Sequence, residues 1–392
     1  MSVLSRLPAL ASLVALGLSP ALASASPAAQ TDLVGWYRLP DGQHVVLSWA
    51  ADGDLRLAAL GEPFFSEPFR AQSNGAFLWT AGSGSAEETR TVGFRFGDHG
   101  KPVGFQWARE KTQPSVATRL ANQPYELREL DYRNQDVALS GTLLVPRARA
   151  AVPAAVMIHG SGESDRDNLW YLEIADHLAR NGIAVLLPDK RGCGKSGGEW
   201  RTSSMEDFGG DSRAAAEVVR GQRGVDPARV GFVGVSQGGS IAPLAATMTT
   251  DSAFAVGLVT GVTTFDEMLL HESRQTLRQN GLPGLVADGL APMAAAIARR
   301  RRPVWWEKNG GFSPLPYWRQ LTIPKLFVYG REDERDNVAV SHSVALLEDA
   351  ELSQLTIEIY PGSGHGLFLP GTRTIRPEFL ELLATWIQQT SG

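Results

Sequence analysis

Residues 230–246 constrain the fold of this 392-residue chain more than any other stretch. An apolar, strand-like run ends at Val235, and an Ala/Leu-rich helical pattern resumes just beyond Ser236. At the break stands Gly234-Val235-Ser236-Gln237-Gly238, a G-x-S-x-G pentapeptide. A serine on so sharp a strand-to-helix turn sits in a strained backbone conformation with its hydroxyl exposed. Side chains two residues to either side would collide with the neighbouring strand and helix, so glycine is needed there. The helix that follows aims its positive end at the serine, where a tetrahedral oxyanion would form. Strand, turn and helix in this order make Ser236 a candidate nucleophile.

Such a serine needs a base, and the base an orienting acid. His365 lies in Pro361-Gly-Ser-Gly-His-Gly, directly after the last apolar strand-like run, where a glycine-flanked loop lets it reach across a sheet edge. The acid should follow the preceding strand, and Lys325-Leu-Phe-Val-Tyr-Gly-Arg-Glu-Asp-Glu-Arg-Asp carries four carboxylates. Asp333, three residues after Gly330, is the first choice, and Asp336 competes with it. Two N–H donors are needed for an oxyanion. Gln237 follows the nucleophile, and Ser161, with Gly160 as its neighbour, lies in the loop Ile158-His-Gly-Ser-Gly after the first buried parallel strand. His159 is expected to brace that loop rather than act as a base.

Around these residues, apolar strand-like runs alternate with helical patterns from residue 125 onward. That alternation implies a mainly parallel sheet covered on both faces, with two antiparallel strands at its start. Residues 262–321 are too long for a simple connection. They read as a cap over the C-terminal edge of the sheet, with helices at 265–278 and 285–302 and an aromatic, Pro-rich stretch beyond. Trp305 and Trp306 are candidate pocket walls. Arg299-Arg-Arg-Arg302 reads as a solvated helix end, with an acidic substrate or partner as its second reading. Glu267 and Glu272 could anchor an amine.

Residues 31–120 differ in character. Short aromatic or β-branched runs alternate with Gly/Asp turns, which argues a small all-β unit. Its aromatics, Trp36, Trp49, Trp79, Phe94 and Trp107, are expected to form a core rather than a ligand groove. Pro114 and Pro124 flank an expected linker. The division is therefore residues 1–25 as signal peptide, 26–120 as the β-rich domain and 121–392 as the catalytic domain with its cap. For the first of these, Arg6 precedes an uncharged apolar stretch at 7–22, and Ala21-Leu22-Ala23 and Ala23-Ser24-Ala25 give small-x-small cleavage patterns. The expected location is a bacterial periplasm or exterior.

Composition excludes more than it selects. A formal net charge of −5 points to neither nucleic acid nor an anionic membrane surface, and no segment beyond the expected leader reads as a membrane span. The single cysteine, Cys193, can form no internal disulfide, and no Cys/His cluster stands at metal spacing. Residues 191–196 invite comparison with a phosphate-binding P-loop, but Asp189 stands where that motif needs glycine.

Taken together, residues 125–392 resemble the α/β-hydrolase superfamily, in which nucleophile, acid and base follow the order Ser236, Asp333, His365. The resemblance rests on His159-Gly-Ser-Gly, Asp189-Lys-Arg-Gly-Cys-Gly-Lys-Ser-Gly, Gly234-Val-Ser-Gln-Gly and Gly364-His-Gly. Within the superfamily it is similar to secreted bacterial esterases near the dienelactone hydrolase and prolyl oligopeptidase branches. It implies a serine hydrolase of small carboxylic esters that needs no cofactor or metal. A peptidase or amidase with the same triad is the nearest rival, and a non-catalytic binding protein on the same scaffold a more distant one. The β unit is far too short for a propeller, which counts against a size-filtering peptidase. The acid loop departs from the usual pattern, since Asn337-Val-Ala-Val stands where many relatives carry a Val-Pro.

Overall fold

A computed structural model describes residues 125–390 except 373 and, nearer the N-terminus, residues 33, 35–40, 44–49, 55–59, 68–71, 77–81, 88–97, 102–109 and 115–120. The expected leader and both small-x-small patterns lie outside the described residues. Two compact units divide between Gln123 and Pro124.

The first unit is a closed antiparallel barrel of β1 (Gly35–Arg38), β2 (His44–Trp49), β3 (Leu55–Ala59), β4 (Pro68–Ala71), β5 (Phe77–Ala81), β6 (Glu88–Phe96), β7 (Pro102–Arg109) and β8 (Ser115–Arg119). Period-two patterning places Val45, Leu47, Val92, Phe94 and Phe105 in one core. Trp36 and Phe94 are buried; the side chains of Trp49, Trp79 and Trp107 lie outside the described residues. The expected linker at 114–124 needs correction. Ser115–Arg119 is a strand that pairs with both β7 and β1, through Tyr37↔Arg119 and Arg38↔Thr118, and so closes the barrel. Closure removes the two unpaired edges that an open sheet would expose.

The second unit is built on an eight-stranded sheet in the order β16-β15-β14-β13-β11-β12-β10-β9. The hairpin β9 (Tyr125–Asn134) and β10 (Val137–Pro146) is antiparallel, and β10 runs antiparallel to β12 (Ala184–Pro188). From β12 across β11 (Val152–Ile158), β13 (Val225–Val235), β14 (Ala255–Leu258), β15 (Lys325–Gly330) and β16 (Leu355–Tyr360) all pairings are parallel. Every residue of β11, β14 and β15 is buried, as a strand covered on both faces requires. The helices α1 (Leu169–Arg180), α2 (Met205–Arg220) and α3 (Gln237–Thr247) follow β11, β12 and β13 in turn. Ser204 and Asp207 close a reciprocal capping box at the start of α2, a device that stabilises a helix by about 1 kcal/mol.

Between β14 and β15 the cap folds as α4 (Phe265–Gln279), α5 (Gly284–Arg299), α6 (Pro303–Asn309) and α7 (Leu315–Gln320). The second expected helix therefore stops at Arg299 rather than at 302. Pro303 opens a new helix instead, since its ring suits a first turn and it has no N–H to continue the old one. A 3₁₀ turn (Arg331–Arg335), α8 (Val340–Asp349) and α9 (Pro377–Thr390) complete the unit.

Candidate active site

The residues singled out above converge on the C-terminal ends of the parallel strands, where open α/β sheets bind ligands. Ser236 follows β13 with φ 53° and ψ −118°, a left-handed conformation that costs about 1–3 kcal/mol for a side chain of this kind. Its N–H is held by Leu258 O at 2.8 Å. The flanking glycines are obligatory: a Cβ on Gly234 would lie 2.1 Å from Gly238 O, and one on Gly238 would lie 2.1 Å from Ile158 O. Val259, just past β14, also has positive φ, at 45°, unusual for a β-branched residue.

Asp333 sits in the 3₁₀ turn after β15 with no solvent exposure. Its Oδ2 lies 2.7 Å from His365 Nδ1, and its Oδ1 accepts the N–H of Asn337 at 3.2 Å. Asp336 lies at the C-terminal end of the same turn and is exposed. A carboxylate can only accept, so Nδ1 of His365 donates and Nε2 is left as an acceptor. Burial alone would lower the imidazole pKa; the Asp333 hydrogen bond and charge outweigh it, and the net shift is upward from 6.5. The His365 loop is tied down from two sides. Trp170 Nε1 donates to Gly366 O at 2.8 Å, and Ser363 Oγ donates to Phe368 O at 2.6 Å.

Ser236 and His365 line a single cavity of about 510 Å³, together with Ser161, Gln237, Trp305 and Trp306. The loop carrying Ser161 is heavily braced. Gly160 N–H donates to Tyr171 Oη at 2.7 Å, so the neighbouring Ser161 remains the candidate donor from this loop. His159 is buried, with Nε2 at 2.6 Å from Pro188 O and Nδ1 at 2.9 Å from Ser164 Oγ. The carbonyl fixes the Nε2–H tautomer, and burial pulls the ring's pKa down to about 4. His159 is thus a neutral strut.

The sequence did not single out Lys190. Its buried ammonium donates to Gly160 O at 2.7 Å, Gly162 O at 3.1 Å and Gln237 Oε1 at 3.1 Å. One side chain therefore joins both loops that carry the candidate oxyanion donors. Burial pulls its pKa down to about 7. The neighbouring Asp189 carboxylate accepts from Lys195 N–H at 2.7 Å and pairs with Arg166 at 2.8 Å, filling the place where a P-loop would cradle phosphate. Burial raises the pKa of Cys193 in the same loop, which disfavours the thiolate.

The two acidic candidates of the cap separate. Glu267 is engaged as the cap of α4, accepting Thr264 N–H at 2.9 Å. Glu272 lines the cavity, and its carboxyl pKa is raised by burial and by Asp336. The arginine run separates as well. Arg299 pairs with Asp266 at 2.8 Å, while Arg301 and Arg302 line the cavity and the Arg302 guanidinium lies 4.9 Å from the Trp200 ring centre.

A mainly parallel sheet with a glycine-flanked serine elbow, capped between β14 and β15, defines an α/β fold of hydrolase type. The model of the Alpha/beta hydrolase family matches residues 155–375, and the chain belongs to that family. An uncharacterized protein of Mycobacterium tuberculosis is 33% identical over 115 residues, covering 29% of this chain and 39% of that protein. The quorum-quenching protein AidA of Acinetobacter baumannii is 33% identical over 125 residues, 31% of this chain and 39% of AidA. The matches thus span about two fifths of the length of these relatives. Among solved structures, the Pyrococcus horikoshii acylaminoacyl peptidase superposes with a TM-score of 0.55 at 15% identity, over 91% of this chain and 56% of the peptidase, a likeness of fold. Family membership supports a hydrolase activity.

Proposed function

We propose that the protein hydrolyses carboxylic esters by acyl transfer through Ser236, His365 and Asp333. The observation that carries this reading is the 2.7 Å contact between His365 Nδ1 and the buried Asp333 carboxylate, on a histidine that shares its cavity with the strained Ser236. Nε2 of His365 takes the Ser236 proton as Oγ attacks the ester carbonyl, and Asp333 stabilises the imidazolium. The N–H groups of Ser161 and Gln237 receive the oxyanion. Collapse expels the alcohol, which takes the proton from His365. Water, deprotonated by the same nitrogen, then releases the acid and restores Ser236. The cavity walls offer both apolar surface, from Trp305, Trp306 and Phe265, and charged groups, from Glu272, Arg301 and Arg302, to the acyl or alcohol group.

Glu272 favours a second reading. A carboxylate in the same cavity could anchor a substrate amine, which fits a peptidase, the activity named for the Pyrococcus horikoshii relative. Mass labelling with a fluorophosphonate on wild type and Ser236→Ala tests the nucleophile: a single adduct on Ser236, absent from the variant, is expected. No adduct on folded wild type would sink both hydrolytic readings. Matched ester and amide substrates then separate them. Faster ester turnover, unaffected by Glu272→Gln, supports the esterase; amide turnover lost in Glu272→Gln supports the peptidase.

A further inference from the structure

The cap helix α5 is packed inside out. Its buried face consists of small residues, Ala287, Ala291 and Ala295, while its large apolar side chains point outward. Leu285 is 89% exposed, Met293 58%, Ile297 51% and Val286 47%. At 100° per residue these four fall within about a third of the helix circumference, opposite the alanines. Four of the eight large hydrophobics that are exposed among the described residues therefore lie on this one helix face, and Val304, on α6, is also exposed. Burial of large apolar groups dominates folding, and a helix that is apolar on every side is normally covered. A contiguous patch of this kind marks a docking surface.

The charges beside it indicate what docks. Arg300 falls within the same arc, and Arg301 and Arg302 follow at its end. All three are exposed, and among the described residues no carboxylate pairs with them. A symmetric contact between two copies of this helix face would leave them unpaired, because the one carboxylate on α5, Asp288, is already engaged by Arg274 and Arg278 at 3.0 and 2.8 Å. Apolar side chains flanked by arginines fit a surface that is apolar inside and anionic outside. No helix among the described residues is long and apolar enough to cross a membrane, so contact would be at the interface. The net charge of −5 does not oppose this, since the arginines act locally.

We propose that the outward face of α5, with Arg300 to Arg302, docks on a lipid surface that carries acidic headgroups. Ala298, Arg301 and Arg302 also line the cavity that holds Ser236, so docking brings that cavity beside the lipid. Delivery of a lipid ester into the cavity rests on the esterase reading, whereas the docking itself does not.

The test is co-sedimentation of the full chain with phosphatidylcholine vesicles, with and without phosphatidylglycerol, at low and high salt. Wild type should bind the anionic vesicles at least about tenfold more tightly than the neutral ones, and salt should weaken the binding. The triple variant Leu285→Ser, Met293→Ser, Ile297→Ser should lose at least about tenfold of that binding, with circular dichroism and thermal unfolding unchanged. Arg300→Glu should lose several-fold, and supplies the answer if the triple variant fails to fold. Ser236→Ala should bind vesicles like wild type, so loss of the hydrolytic reading would leave the docking standing. Equal, weak sedimentation with both vesicles would overturn the proposal. So would a wild-type dimer in analytical ultracentrifugation that the triple variant converts to a monomer without any vesicle binding.

Discussion

The strand-end loops and the cap helix α5 treat polarity in opposite ways. The loops bury charged and polar groups, Asp333, His159, Asp189 and Lys190 among them, and give each a defined partner. Helix α5 of the cap buries only alanines and leaves Leu285, Met293 and Ile297 in the open. Buried polar networks are rigid when satisfied and costly when broken, so the loops hold reacting groups in one geometry. An exposed apolar face has no such internal determinant, and its design answers to something outside the chain. On the proposed function, one region is organised for chemistry and the other for what reaches it. Substitutions in the loops should therefore act on kcat, and those in the cap on KM, specificity or surface binding.

The largest break comes at the nucleophile. Ser236→Ala should lower kcat on a soluble ester by about 10⁶-fold with an unchanged melting temperature, read by steady-state kinetics on highly purified protein. A loss below about tenfold would show that the chemistry lies elsewhere in the cavity. Next is the acid. Asp333→Asn should cost about 10⁴-fold, because an amide beside Nδ1 favours the wrong imidazole tautomer. Asp336→Asn, at an exposed position, should stay within about twofold. The pH profile adds a sign. His365 must be neutral to accept a proton, so activity is lost as pH falls through its pKa. With that pKa raised, the acid limb of kcat/KM should lie above about 6.5 in wild type and move downward in Asp333→Asn.

What was legible in the sequence follows the same divide. The elbow could be read because its glycines and serine stand within one pentapeptide, although a Cβ on Gly234 would clash within the turn and one on Gly238 with the neighbouring strand. The parallel sheet could be read because doubly buried strands are continuously apolar. Three supports of the site carried no such signal. Lys190 reaches Gly160 and Gln237 across 30 and 47 residues and Trp170 reaches Gly366 across 196, and no spacing announces contacts of that range; Tyr171 is only 11 residues from Gly160, but its hydroxyl carries no motif. The barrel's closure was hidden because Ser115–Arg119 is short and lies between prolines. Nor could the outward face of α5 be chosen in advance. α5 is apolar on nearly every side, so periodicity gives a helix without saying which side packs.

Lys190 is the sharpest probe within the loops. Lys190→Met keeps the apolar stem beneath Trp200 and Phe208 but removes the donors to Gly160 O, Gly162 O and Gln237 Oε1. Two carbonyls then lose a donor in a buried setting, which should lower stability by about 1–3 kcal/mol. Both loops that carry the proposed oxyanion donors loosen together, and a displaced donor weakens binding of the transition state more than that of the substrate. The expected result is a loss in kcat of about 10²-fold with KM within about twofold. Lys190→Arg should not rescue it, since a planar fork cannot follow three acceptors arranged around one ammonium. A purely structural role would instead lower the melting temperature and leave kcat per folded molecule intact.

The smallest effect should come from the cap wall. Trp306 is partly exposed and packs edge-on against Trp305, with ring centres 4.8 Å apart; Trp305 meets Phe265 at 5.4 Å. Replacing Trp306 by alanine opens the cavity without touching Ser236, Asp333 or His365. Short acyl or alcohol groups that never reach the wall should be turned over at the wild-type rate. Longer ones lose an apolar contact, and a contact of that size discriminates by about tenfold. The measurement is the ratio of kcat/KM for long and short esters, in Trp306→Ala and separately in Trp305→Ala. A ratio that falls through KM alone places the residue among the walls. An unchanged ratio removes that tryptophan from the pocket, and a fall in kcat for every ester would mean that the cap and the loops are mechanically coupled, contrary to the division argued above.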